Sequence, residues 1–128
     1  MTKHYIHEDD VEGDHIGPPY QRVIKHLAAP WNLGTTKVHL SSSAVDPGFT
    51  SNAHSHDDQE EVFYCVSGKG KIKVDDNEYD VGPGGVVFCP VNSTHQLINT
   101  GDEVFKCIAA LSPPFVPEKY RKDHLLDE

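Results

Sequence analysis

Two histidines separated by one residue, His54 and His56, are followed at Glu60-Glu61 by a pair of carboxylates and, some forty residues later, by His95. In an extended chain, residues two apart point to the same face, so His54 and His56 can present both imidazoles to one ion. A short turn can then bring a carboxylate from the next strand, either Glu60 or Glu61. Alternation along that strand groups Glu61 with Phe63 and Cys65, and Glu60 with Val62, Tyr64 and Val66, which favours Glu61. His95 offers a further imidazole from a separate strand. The chemistry this pattern suggests is metal coordination. The bland alternative is that these are surface residues in a chain with nine histidines, and a lone His-x-His would not distinguish the two. His4, His7, His15, His26, His39 and His124 have no partner at such a spacing and read as solvent-exposed or as satisfied core residues.

The elements that must carry these side chains are strands. Period-two patterns recur in short runs punctuated by Gly, Pro, Asn and Asp, and no stretch outside the ends holds a convincing helical stripe. Strands are expected at 20–27, 36–44, 61–66, 71–74, 78–81, 86–88, 95–98 and 104–111. The clearest hairpin joins Lys71-Ile72-Lys73-Val74 to Glu78-Tyr79-Asp80-Val81 through Asp75-Asp76-Asn77, with Ile72 and Val74 inward. Short strands with such punctuation predict a sandwich or a jelly-roll barrel. Residues 1–19 read as a polar N-terminal arm, 20–117 as the barrel and 118–128 as a C-terminal tail that forms a short helix or stays mobile.

Two stretches together resemble the cupin superfamily. Gly48, His54, His56, Glu61 and Gly68 fit its first motif, G(x)5HxH(x)3-4E(x)6G, and Gly84, Pro90, His95 and Asn99 fit its second, G(x)5PxG(x)2H(x)3N. One position departs: Asn92 stands where the second motif has glycine, a change that Asn tolerates because it accepts positive φ. The resemblance covers about residues 36–117 and implies an all-β, cupin-type double-stranded β-helix with short polar extensions. It also implies that His54, His56, Glu61 and His95 bind one divalent metal. Three imidazoles and a carboxylate suit Fe, Mn, Ni, Co, Cu or Zn. Four protein ligands in an octahedral field would leave two positions for water, oxygen or a chelating substrate.

Composition narrows the remaining classes. The 128 residues suit one core. A formal charge of −9, from 20 acidic and 11 basic residues, would repel nucleic acid and anionic membranes. There is no apolar leader and no run approaching the ~18 residues of a membrane span, so a soluble, cytoplasmic protein is expected. Cys65, Cys89 and Cys107 are odd in number and lack a CxxC pair, which argues for reduced, buried thiols packed as small apolar groups. Phe49, Phe63, Tyr64 and Phe88 read as core or barrel wall, while Arg22, in the first expected strand, is a candidate anchor for a substrate carboxylate.

Dioxygenase, decarboxylase, lyase and isomerase activities all occur among proteins of this resemblance. The expected function is a metal-dependent enzyme acting on a small, oxygen-rich metabolite. The alternatives are a non-catalytic metal- or ligand-binding module and, behind it, a metal-free epimerase-like barrel. Because small cupins commonly exchange N-terminal strands, the resemblance also implies a homodimer built with residues 20–45.

Overall fold

The computed structural model describes residues 4–116. The expected C-terminal tail, its short helix and His124 lie outside the described residues. After a single 3-10 turn at Glu8–Asp10, ten strands follow: β1 Asp14–Ile16, β2 Arg22–Ala28, β3 His39–Val45, β4 His54–Ser55, β5 Glu60–Ser67, β6 Gly70–Val74, β7 Asn77–Val81, β8 Val86–Cys89, β9 Thr94–Asn99 and β10 Phe105–Ser112. They form two antiparallel sheets, one in the order β1-β2-β3-β10-β5-β8 and one in the order β4-β9-β6-β7. β10 lies between β3 and β5, and β9 between β4 and β6, so distant parts of the chain alternate across both sheets. That is the jelly-roll arrangement. No helix among the described residues is long and apolar enough to cross a membrane.

The alternation seen in the sequence builds the interior. Val45, Phe63, Cys65, Ile72, Leu97, Phe105 and Cys107 are buried together between the sheets. Tyr64 and Phe88, read from sequence as core or wall, instead point outward and are half exposed, because each falls on the opposite parity of its strand. All three cysteines are free and buried. Burial raises the thiol pKa values, that of Cys89 to about 12, consistent with inert packing groups.

Part of the segment expected as a polar arm is ordered structure. β1 pairs antiparallel with β2, Asp14 opposite Ile24 and Ile16 opposite Arg22, and Ile16 joins Ile24, Leu111 and Phe115 in a second apolar cluster. A three-residue strand with one apolar side chain is too short to show a period, so its pairing comes from the neighbour that receives it.

Two turns fix the approach to the site. The β6–β7 hairpin closes on Asp75-Asp76, with Val74 opposite Asn77, and Asp75 adopts φ +52°. Asp75 is tied to the strand that carries His95: its N–H donates to the Thr94 carbonyl at 2.7 Å, and its carboxylate accepts the Thr94 N–H at 2.9 Å. Gly68, between β5 and β6, has φ +74°, and a Cβ there would stand 2.2 Å from the Val104 carbonyl oxygen. Gly68→Ala should therefore cost on the order of 3 kcal/mol or more, through strain and a backbone clash that no side-chain rotation relieves. Urea denaturation would check this; an unchanged midpoint would contradict it.

Candidate metal centre

His54 and His56 lie at and just beyond β4, and His95 lies on β9. The two strands pair with His54 directly opposite His95. His54 and His56 flank an exposed Ser55, so both turn inward as the spacing predicts. The potential ligand atoms of His54, His56 and His95 all lie within 4.8 Å of one another, and the rings of His54 and His95 are 4.4 Å apart between centroids.

The carboxylate arrives from the other sheet. On β5, Glu60 is exposed and Glu61 is buried. Glu61 Oε1 is 2.9 Å from His95 Nε2 and 3.5 Å from His56 Nε2. The parity argument from sequence and the observed burial agree on which glutamate faces the imidazoles. Burial alone would raise the Glu61 pKa, yet the hydrogen bonds and positive potential of His56 and His95 outweigh it and hold the carboxyl well below its usual range. Burial, helped by charge repulsion from His95, lowers the His54 pKa to about 3. At neutral pH Glu61 is therefore an ionised carboxylate and His54 a neutral imidazole, the forms in which each can ligate an ion.

The fit to a cation can be judged from hydrogen bonding as well as charge. His54 Nδ1 donates to the Asn52 carbonyl at 2.9 Å, which leaves Nε2 with the lone pair, as in metal-ligating histidines. His95 Nδ1 is buried without a hydrogen-bond partner among the described residues, while its Nε2 faces the Glu61 carboxylate. Imidazole nitrogens sequestered from water in this way are costly unless something else satisfies them. The donor set fits a divalent transition ion.

Surrounding residues carry less obvious signals. Asn92 has φ +69°, so it does adopt the conformation for which the second motif uses glycine. Its N–H donates to the His56 carbonyl at 2.8 Å. Asn99 is structural, its side-chain amide donating to Val45 O at 2.9 Å and Glu103 O at 2.7 Å. Gln59 donates to Pro113 O at 2.7 Å and so draws the segment after β10 toward the centre, where the Phe115 ring packs 5.5 Å from that of His56. Phe115 was not singled out by the sequence, since its motif, Pro113-Pro114-Phe115, reads only as an exit from a strand.

His26 and His39, whose spacing suggested nothing, form a second buried pair. His26 Nδ1 and His39 Nε2 are 2.8 Å apart, Asp14 Oδ2 is 3.6 Å from His26 Nε2, and the Phe115 N–H donates to His39 Nδ1 at 3.4 Å. That last contact makes Nδ1 the acceptor and gives the Nε2 proton of His39 to His26. Both are buried core histidines, thirteen residues apart and brought together by the β2–β3 pairing, with Asp14 beside the His26 ring.

Two antiparallel sheets around an inward-facing centre that could hold an ion through three histidines define a small jelly-roll domain. The chain belongs to the cupin domain family Cupin_2, whose profile matches residues 42–111. Among related sequences is an uncharacterised protein of Methanocaldococcus jannaschii, 26% identical over 96 residues, covering 75% of this chain and 77% of the relative. A glucose-6-phosphate isomerase of Thermococcus kodakarensis is 31% identical over 84 residues, which are 61% of this chain. The match spans only 44% of that isomerase. Among solved structures, one from Thermotoga maritima described as a predicted oxalate decarboxylase superposes with a TM-score of 0.76 at 17% identity, covering 84% of this chain and 97% of the other. The fold is shared with the Thermotoga maritima structure, and that structure and the isomerase are named for different reactions.

Proposed function

We propose that this cupin is a metal-dependent enzyme acting on a small, oxygen-rich metabolite, with one divalent transition ion held by His54, His56, Glu61 and His95. The observation that carries the reading is the convergence of three imidazoles and one ionised carboxylate from two sheets onto a common point. Bound there, the ion would supply a Lewis acid to the oxygen donors of a substrate. Asn52 orients His54, its carbonyl accepting from the ring nitrogen that would face away from the ion. Decarboxylase, dioxygenase, lyase and isomerase chemistry all remain compatible with such a centre. Elemental analysis of protein purified without added metal tests the ligand set. A near-stoichiometric transition metal supports it, and failure to take up Fe, Mn, Ni, Co, Cu or Zn on reconstitution would overturn it.

A binding module is the second reading. What favours it is the cavity wall: apart from the candidate ligands, its described polar residues are Arg22, Ser41 and Ser43, none of which is a carboxylate or imidazole suited to general acid–base work. A metal-loaded protein that binds small acids or sugars and returns them unchanged would favour this module.

The protein is further proposed to act as a cytoplasmic homodimer. Reduced buried cysteines suit a reducing compartment. Leu40, Val62, Tyr64, Val66, Val86 and Phe88 expose an apolar band on the outer face of the six-stranded sheet, between 36% and 62% accessible, which a second copy would cover. Leu40 brings the expected 20–45 region into that face. Light scattering should give a dimer mass for the native chain and a monomer mass for the Tyr64→Glu, Phe88→Glu double variant. A native monomer would refute the assembly.

A further inference from the structure

Arg22 lies on the same face of β2 as Ile24 and His26 and is buried. Its guanidinium donates to Ser43 Oγ at 3.0 Å and to Asn52 Oδ1 at 3.4 Å. With Ser41, Ser43 and Phe115 it lines the cavity onto which His54 and Glu61 also open. The β2–β3 register, with Ile24 opposite Ser43, brings the hydroxyl beside the guanidinium. Asn52 is a shared brace, since its side chain accepts from Arg22 while its carbonyl accepts from His54 Nδ1.

We propose that Arg22, held in plane by Ser43 and Asn52, is an anion subsite that takes the carboxylate of a small acid whose adjacent oxygen reaches the metal centre. The substrate class is a 2-hydroxy or 2-oxo carboxylate. This rests on the metal reading above and adds the substrate's charge. A planar guanidinium with a fixed orientation matches a carboxylate in two parallel hydrogen bonds, which an ammonium cannot do. Because one small cavity is lined by both Arg22 and the candidate ligands His54 and Glu61, the two recognised groups of the substrate must be close neighbours on its skeleton. In the low dielectric of the buried cavity, such a charge-assisted contact discriminates strongly against a neutral isostere.

The test compares glycolate with its neutral amide, glycolamide, on the full-length protein by calorimetry, with and without Co(II), and follows the Co(II) visible spectrum. Glycolate should bind at least tenfold more tightly than glycolamide. Arg22→Gln should remove that preference, glycolate losing more affinity than glycolamide, while Co(II) stoichiometry stays native, and Arg22→Lys should retain only part of it. Equal binding of the two ligands, equal losses for both in Arg22→Gln, or preference for inorganic phosphate over glycolate would each overturn the subsite. Failure of the native protein to take up Co(II) would overturn the metal reading instead. In that case a glycolate preference of the metal-free protein that Arg22→Gln abolishes still supports the anion subsite, and its absence refutes it.

Discussion

Replacing His95 by alanine is expected to lower the affinity for a divalent transition ion by more than about a hundredfold, because loss of a direct ligand should exceed the ten- to hundredfold usually lost with an outer-shell partner. His95 is buried on β9, directly opposite His54, and stands 2.9 Å from Glu61. Its removal breaks the link between the two sheets' contributions. His54→Ala should behave alike, since it loses an imidazole whose orientation Asn52 fixes. Glu61→Gln, nearly isosteric, should keep the fold and lose the negative charge that balances the ion. His15→Ala, at an exposed position on β1, is the control and should retain native metal content. Equilibrium dialysis with Zn(II) or Co(II), with circular dichroism to confirm folding, makes the comparison. A His95→Ala protein that is folded and binds metal as the native chain does would remove His95 from the ligand set.

The second large effect concerns acid stability. Burial lowers the pKa of His26 to about 4, and burial together with the nearby charge of His26 lowers that of His39 to about 4. In both cases the folded state favours the neutral ring, so between about pH 6.5 and 4 the unfolded chain binds more protons. The stabilisation from the pair is complete above pH 6.5 and falls away as pH drops through that window. The combined loss is on the order of 5 kcal/mol, since each tenfold change in proton affinity is worth roughly 1.4 kcal/mol, and this is a large fraction of a small domain's stability. Urea midpoints measured at intervals from pH 7.5 to 4 should decline steeply below 6.5. His39→Gln, whatever its absolute stability, should show a shallower decline. An equal slope in both proteins would mean that other groups control the acid response.

The strand pattern was legible because alternation reports which face of a sheet is wet. Ile72 and Val74 are inward and Lys73 outward as their parity requires, and the same rule distinguished Glu61 from Glu60. It succeeded less well where a strand was short or its outer face apolar. β1 contains too few residues for a period, and on β5 and β8 both parities are hydrophobic, so Tyr64 and Phe88 could not be recognised as outward-facing. Their exposure is consistent with a surface meant to be covered, which local sequence does not record.

The order of residue types in the chain determined by itself that this is a strand-built domain of cupin character, that His54 and His56 share a face, and that Asn92 can take a turn conformation usually reserved for glycine. Only the tertiary structure decided which distant residues meet. β4 pairs with β9, setting His54 against His95. β5 in the other sheet supplies Glu61, and β2 brings Arg22 into their cavity with Ser43 and Asn52. The same β2–β3 pairing joins His26 to His39. Local alternation encodes the face a side chain occupies, whereas the partner across a sheet is chosen by the cooperative burial of whole strands, and that information is spread over the entire chain.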